Sequence, residues 1–130
     1  MTAATTDRKR VLVVEDDAMV RRLLAAILEK GGYVVAQAGN GIEALGCLGS
    51  EAAVDVIVLD LLMPVMDGLK FLHELRQVRK LDIPVLVLTA SLNPANGDEQ
   101  RVLDAGANRV ARKPVKAPEL LKLLQQLLES

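Results

Sequence analysis

Between Val56 and Gly68 the chain reads VIVLDLLMPVMDG. An unbroken apolar run ends in an aspartate, and a Met-Pro turn and an Asp-Gly signal follow at once. A short continuous apolar run rich in β-branched residues and bounded by turn signals suits a strand covered on both faces, as in a parallel sheet. The carboxylate at its end is then the feature that needs a reason.

Working outward from that strand, strand-like and helix-like segments alternate. VLVV at Val11 to Val14 is a first strand, and Val20, Leu23, Leu24, Ile27 and Leu28 recur at helical spacing before Gly31 and Gly32 stop the helix. YVVA, Tyr33 to Ala36, is a second strand, and the turn Gly39 to Gly41 leads into a helix carrying Ala44, Leu45 and Leu48. The third strand spans Val54 to Leu59, with Leu69, Leu72, Leu75 and Val78 on one face of the helix after it. IPVLVL, Ile83 to Leu88, is the fourth strand, with Pro84 tolerable at its start. Asn93-Pro94 and Asn96-Gly97 delay the next helix to about Asp98, and it runs to about Ala105 before Gly106. RVAR, Arg109 to Arg112, is a fifth strand required mainly by the alternation. A last helix from about Ala117 carries Leu120, Leu121, Leu123, Leu124, Leu127 and Leu128, a broader apolar arc than packing on one sheet requires. Part of that arc is either a partner surface or a wide core face. The alternation predicts a doubly wound α/β fold, a five-stranded parallel sheet with helices on both faces.

Composition narrows the function classes. The chain has 130 residues, 51% hydrophobic and 25% charged, the mixture of one globular domain. A net charge of -1 and a pI near 5.8 give no chain-wide attraction to nucleic acid or an anionic membrane, although local patches remain open. The first ten residues, MTAATTDRKR, hold no signal-peptide core, and no run approaches the length of a membrane span, so a cytoplasmic location is expected. Cys47 is the single cysteine, which excludes an internal disulfide; a small buried hydrophobe is the expected reading.

In doubly wound sheets the functional crevice lies beyond the carboxyl ends of the strands. Strand one ends in Glu15, Asp16 and Asp17, strand three in Asp60, strand four in Thr89-Ala90 and strand five in Lys113-Pro114. If strands one and three are neighbours, two or three carboxylates converge. Like charges near 4 Å repel by about 4 kcal/mol per pair at an effective dielectric of 20, so a counter-charge is required. Oxygen ligands without Cys or His favour a hard cation, Mg²⁺ above all where a phosphate also binds. Lys113 adds a flexible cationic donor and Thr89 a hydroxyl. The set reads as a phosphoryl-transfer site, with Asp60 the candidate nucleophile and Glu15 and Asp16 holding the metal. Individually each feature has a plainer reading. Asp17 is best read as the cap of the first helix and Asp67 as a turn or cap residue, while Thr89 alone is a strand residue and Lys-Pro alone a turn signal.

Together, VLVVEDD, VIVLDLLMPVMDG, VLVLTAS and ARKPV stand in the order seen in response-regulator receiver domains of two-component signalling, and from Arg10 to Leu128 the chain resembles that CheY-like family. The resemblance implies a flavodoxin-like fold with strand order 2-1-3-4-5, an N-terminal tail at 1–9 outside a receiver domain at 10–130, and no enzyme activity beyond catalysis of its own phosphorylation and dephosphorylation. It implies the phosphoacceptor at Asp60, the acid pair at Glu15 and Asp16, the switch hydroxyl at Thr89, the phosphate-pairing lysine at Lys113, and a main-chain carbonyl for Mg²⁺ at Leu62. A cis Lys113-Pro114 bond is also implied. The expected donor is a histidine kinase or histidine phosphotransfer protein. The expected output is a downstream protein contact through the fourth helix, fifth strand and fifth helix, the same face through which a homodimer would form; no direct nucleic-acid or membrane partner is expected.

Two departures from the family stand out. Val110 occupies the position of the usual switch aromatic and Val115 that of the aromatic after Lys-Pro; Tyr33 and Phe71 are the chain's only aromatics. Neither Ser91 nor Leu62 can position a water for hydrolysis, so a long-lived phosphoryl form is expected. An unphosphorylated binding module is the rival reading. A small-substrate hydrolase is disfavoured because Leu62 stands where such enzymes carry a second acid, and His73, on a helix of an α/β pattern, reads as a rim histidine and not a phosphotransfer group. The sequence shows no DNA-binding or catalytic output domain after Glu129-Ser130, so either a single-domain regulator acting by contact or a piece of a longer protein is expected.

Overall fold

The computed structural model describes residues 8–49, 53–60, 68–89, 98–113 and 115–129. The expectations for Leu62, Asp67, Ser91 and the Lys113-Pro114 bond lie outside the described residues. Strands β1 (Arg10–Val14), β2 (Val34–Ala38), β3 (Val56–Asp60), β4 (Val85–Thr89) and β5 (Arg109–Arg112) alternate with helices α1 (Ala18–Lys30), α2 (Gly41–Leu48), α3 (Gly68–His73), α4 (Asp98–Asp104) and α5 (Ala117–Glu129). All pairings are parallel, and the order is β2-β1-β3-β4-β5. This is the doubly wound sheet expected from the alternation, in the flavodoxin-like strand order that the resemblance implies. Among the described residues no helix is long and apolar enough to cross a membrane.

The period-two geometry of a strand explains why the strands carry continuous apolar runs. Leu12, Val14, Ile57, Leu59, Val85 and Val87 pack on one face with Ala44, Leu45, Phe71, Leu72, Leu75 and Val102, from α2, α3, its extension and α4. Val11, Val13, Val56, Val58, Leu86 and Leu88 pack on the other with Leu24 and Leu28 of α1 and Leu120, Leu124 and Leu127 of α5. The broad arc of α5 is mostly absorbed here, since Leu121, Leu123 and Leu128 also lie against this second cluster. Cys47 is half-buried and packs against the first.

Local boundaries moved where polar residues tolerate the sheet or proline does not. β2 continues through Gln37 to Ala38, two residues past the apolar YVVA, because it is an edge strand and Gln37 faces solvent. β4 starts after Pro84, which has no N–H to give; its carbonyl still accepts from Ile57 N–H at 2.9 Å. Asp17 caps α1, accepting from the N–H groups of Met19 and Val20, as its place before the helix suggested. The helix stops at Gly31, and the following Gly32 takes φ +98°, a left-handed conformation that glycine adopts without a Cβ clash.

One departure changes which residues are buried. α3 continues into a π-turn at Glu74–Val78, closed by Arg79 N–H to Glu74 C=O at 2.9 Å. The extra residue in the turn rotates the later side chains by about 100° relative to an α-helix. Val78 therefore leaves the apolar face the spacing assigned to it and is 61% exposed, whereas Leu75 is fully buried. Arg76 fastens this turn to its neighbours. Its guanidinium donates to Leu81 C=O at 2.6 Å, to Gly106 C=O at 2.8 and 3.1 Å and to Asn108 Oδ1 at 3.1 Å. Burial holds it below the usual arginine range.

Candidate functional site

The register builds the site. Val14 pairs with Leu59, so one step further the chain sets Glu15 beside Asp60 at the carboxyl edge of β1 and β3. Asp60 pairs with Leu88, so Thr89 stands one residue beyond it on β4. On the far side of Thr89, its backbone carbonyl accepts the N–H of Lys113 at 2.9 Å, which aims the lysine back over the sheet edge from the end of β5.

Carboxylate oxygens of Glu15, Asp16 and Asp60 lie within 4.8 Å of one another. Glu15 is buried, Asp16 exposed and Asp60 half-buried. The Lys113 Nζ bridges two of them, 2.9 Å from Glu15 Oε1 and 3.6 Å from Asp60 Oδ1. Thr89 is 1% exposed. All five residues singled out at the strand ends are thus at one edge of the sheet, and four of them form one charged cluster; Leu62 lies outside the described residues.

The electrostatics are short of positive charge. Burial raises the Glu15 carboxyl above its ordinary value and the nearby Asp60 charge adds to this, against the pull of the hydrogen bond from Lys113. Burial alone would lower the Lys113 ammonium, but the hydrogen bond to Glu15 and the charge of Asp60 outweigh it and leave the group above the usual lysine range. The Lys113 ammonium reaches two of the three acids, so among the described residues this cluster carries more negative than positive charge. Three hard oxygen donors with an unmet negative balance are a fitting set for a small divalent cation.

Residues 11–125 match the response regulator receiver domain family. The chain belongs to that family. Over 121 residues it is 42% identical to response regulator MprA of Mycobacterium ulcerans (strain Agy99), covering 92% of this chain and 50% of that one. The match to MprA of Mycobacterium tuberculosis (strain ATCC 25618 / H37Rv) has the same identity and coverage. The receiver domain therefore spans about half the length of the curated relatives it matches. Among solved structures, the chemotaxis protein CheY4 of Vibrio cholerae superposes with a TM-score of 0.84 at 34% identity, over 93% of this chain and 99% of that one. The Francisella response regulator 1452 receiver domain gives 0.83 at 30% identity, over 94% and 98%.

Two further residues singled out in the sequence are placed by the fold. Val110 on β5 is half-buried and packs against the α2–α4 side of the core. His73 is exposed on the last turn of α3, in keeping with a rim residue. Sequence reasoning missed Arg21, whose Nη1 donates to the Glu15 carbonyl at 2.8 Å. A single polar residue in an amphipathic helix gives no periodic signal; only its closeness in sequence to the acidic strand end could have drawn attention to it.

Proposed function

We propose that this receiver domain is a phosphorylation switch that accepts a phosphoryl group on Asp60 from a phosphohistidine of a histidine kinase or phosphotransfer protein. An Asp60 carboxylate oxygen forms the new P–O bond as the P–N bond breaks, and the departing imidazole keeps the electron pair and takes up a proton. Glu15, Asp16 and Asp60, with the main-chain carbonyl of Leu62, would hold Mg²⁺. When bound, that ion supplies charge neutralisation on the transferring oxygens. Lys113 exchanges its contact with Asp60 for one with a phosphoryl oxygen, and the Thr89 hydroxyl bonds another. The observation that carries this reading is the Lys113 ammonium spanning Glu15 and Asp60 at 2.9 and 3.6 Å, one donor shared between a metal-type acid and the candidate nucleophile.

The domain catalyses its own phosphorylation and dephosphorylation and works in the cytoplasm, and its folded unit is 10–130. Added charge at Asp60 draws Thr89 and Lys113 inward and reshapes the face of α4, β5 and α5, which a downstream protein or a second copy reads. With Val110 in place of an aromatic, a smaller displacement carries the signal. The test is amide NMR with beryllium fluoride and Mg²⁺. Shifts at Asp60, Thr89 and Lys113 that reach Val110 and vanish with chelator are expected. Shifts that stop at the site would mean weak coupling to the output face, and none at all would favour a binding module that is not phosphorylated.

A further inference from the structure

The main chain at Glu15 is held on both sides, at the N–H of the peptide from Val14 and at the C=O of the peptide to Asp16. The Glu15 N–H donates to Ala38 C=O at 3.0 Å, and the Glu15 C=O accepts from Arg21 Nη1 at 2.8 Å. The second bond is charge-assisted and so about twice as strong as a neutral one. Arg21 reaches it from the early part of α1 through a narrow slot. A Cβ at Gly39 would come within 3.3 Å of Arg21 Nη1 and equally of Glu43 Oε1, and the Gly39 N–H donates to that glutamate oxygen at 2.7 Å. The guanidinium therefore sits where the ends of β1 and β2 meet the start of α2.

The three acids differ in what holds them. Glu15 is buried and tied to Lys113, and Asp60 is fixed by strand register. Asp16 is exposed and lies one bond beyond the Glu15 carbonyl, so its direction follows the plane of that peptide. We infer that Arg21 is a positioning residue for the metal-binding acids: by fixing the Glu15 carbonyl it sets the direction in which Asp16 presents its carboxylate to Glu15 and Asp60. The consequence for metal binding rests on the phosphoryl-transfer reading; the positioning of the peptide does not. A planar, rigid guanidinium suits the slot beside Gly39, and lysine would supply the same donor with a looser fit.

The test uses the full chain with Arg21→Met and Arg21→Lys, each checked for an unchanged urea m-value. In chelator, amide exchange is measured at Glu15 and Asp17, whose N–H groups donate to Ala38 C=O and Glu15 Oε2. The Mg²⁺ dissociation constant is measured by calorimetry. Arg21→Met is expected to speed exchange at these two amides about tenfold and to weaken Mg²⁺ at least about tenfold, the usual effect of losing a group that orients metal ligands. Arg21→Lys is expected to recover much of both. Unchanged exchange, or faster exchange spread over the whole sheet, would overturn the inference, as would an unchanged Mg²⁺ affinity beside a wild type that binds. A wild type that binds no Mg²⁺ would instead sink the phosphoryl-transfer reading, and the exchange measurement alone would then decide the role of Arg21.

Discussion

Replacing Lys113 by methionine keeps the length of the stem and removes the charge, which makes it the most informative perturbation of the site. At an effective dielectric of 20, contacts of 2.9 and 3.6 Å correspond to about 5.7 and 4.6 kcal/mol of attraction. Those gross figures overstate the loss for two reasons. The lysine side chain is 26% exposed, so solvent screens part of the interaction. The acids can also neutralise themselves. With an ordinary glutamate near 4.3, protonating Glu15 at pH 7 costs about 3.7 kcal/mol, at 1.36 kcal/mol per unit, and this caps what its uncompensated charge can cost. A loss of about 2–3 kcal/mol is expected at pH 7 in chelator. At pH 5 the same cap falls to about 1 kcal/mol, so most of the loss should disappear. Urea unfolding at the two pH values reads it directly, as a midpoint drop of about 1–2 M at pH 7 that closes at pH 5. A variant within about 0.5 kcal/mol of wild type at pH 7, or an equal loss at both pH values, would refute the electrostatic account. The wild-type signs come from the same two groups. Lys113 stands above its ordinary value, so its contribution is complete below about pH 10.4 and is lost as pH rises through the higher folded value. Glu15 is also raised, so its contribution is complete below about pH 4.3 and is likewise lost as pH rises through its folded value.

Other predictions concern the scaffold. Val78→Gln should change stability by less than about 0.5 kcal/mol, because the π-turn exposes that position; a loss of the size seen for buried Leu75→Gln would mean the turn is an ordinary α-helix in solution. Phe71→Ala should cost about 3–5 kcal/mol by chemical denaturation, since the ring is fully buried between α3 and the sheet, and a loss under about 1 kcal/mol would contradict that packing. Gly106→Ala should destabilise by more than about 1 kcal/mol, because φ is +122° and the added Cβ would meet Arg76 Cγ at 2.6 Å; a neutral result would show that the Arg76 bridge gives way easily.

The sheet is legible in the sequence because both its faces are covered, so each strand appears as an unbroken apolar run with turn signals at its ends. β2 reads short because Gln37 interrupts the run, though a polar residue is tolerated on an exposed edge. The phase slip in α3 is not legible. Leu69, Leu72, Leu75 and Val78 fit an α-helical face equally well, and the π-turn shows only in the bond from Arg79 N–H to Glu74 C=O. Position at or just past the carboxyl end of a strand is enough to bring Glu15, Asp16, Asp60, Thr89 and Lys113 to one edge, because parallel strands all end there. Arg21 escapes because its bond is to a backbone carbonyl, which leaves no complementary charge in the sequence to match it.

The central claim is that Asp60 carries the signal, and intact mass after incubation with acetyl phosphate and Mg²⁺, beside an Asp60→Asn control, tests it most directly. A gain of one phosphoryl group in the wild type, absent from the control and slow to decay at neutral pH, is expected. The same gain in both proteins, or none in either even with a phosphorylated histidine kinase as donor, would contradict it.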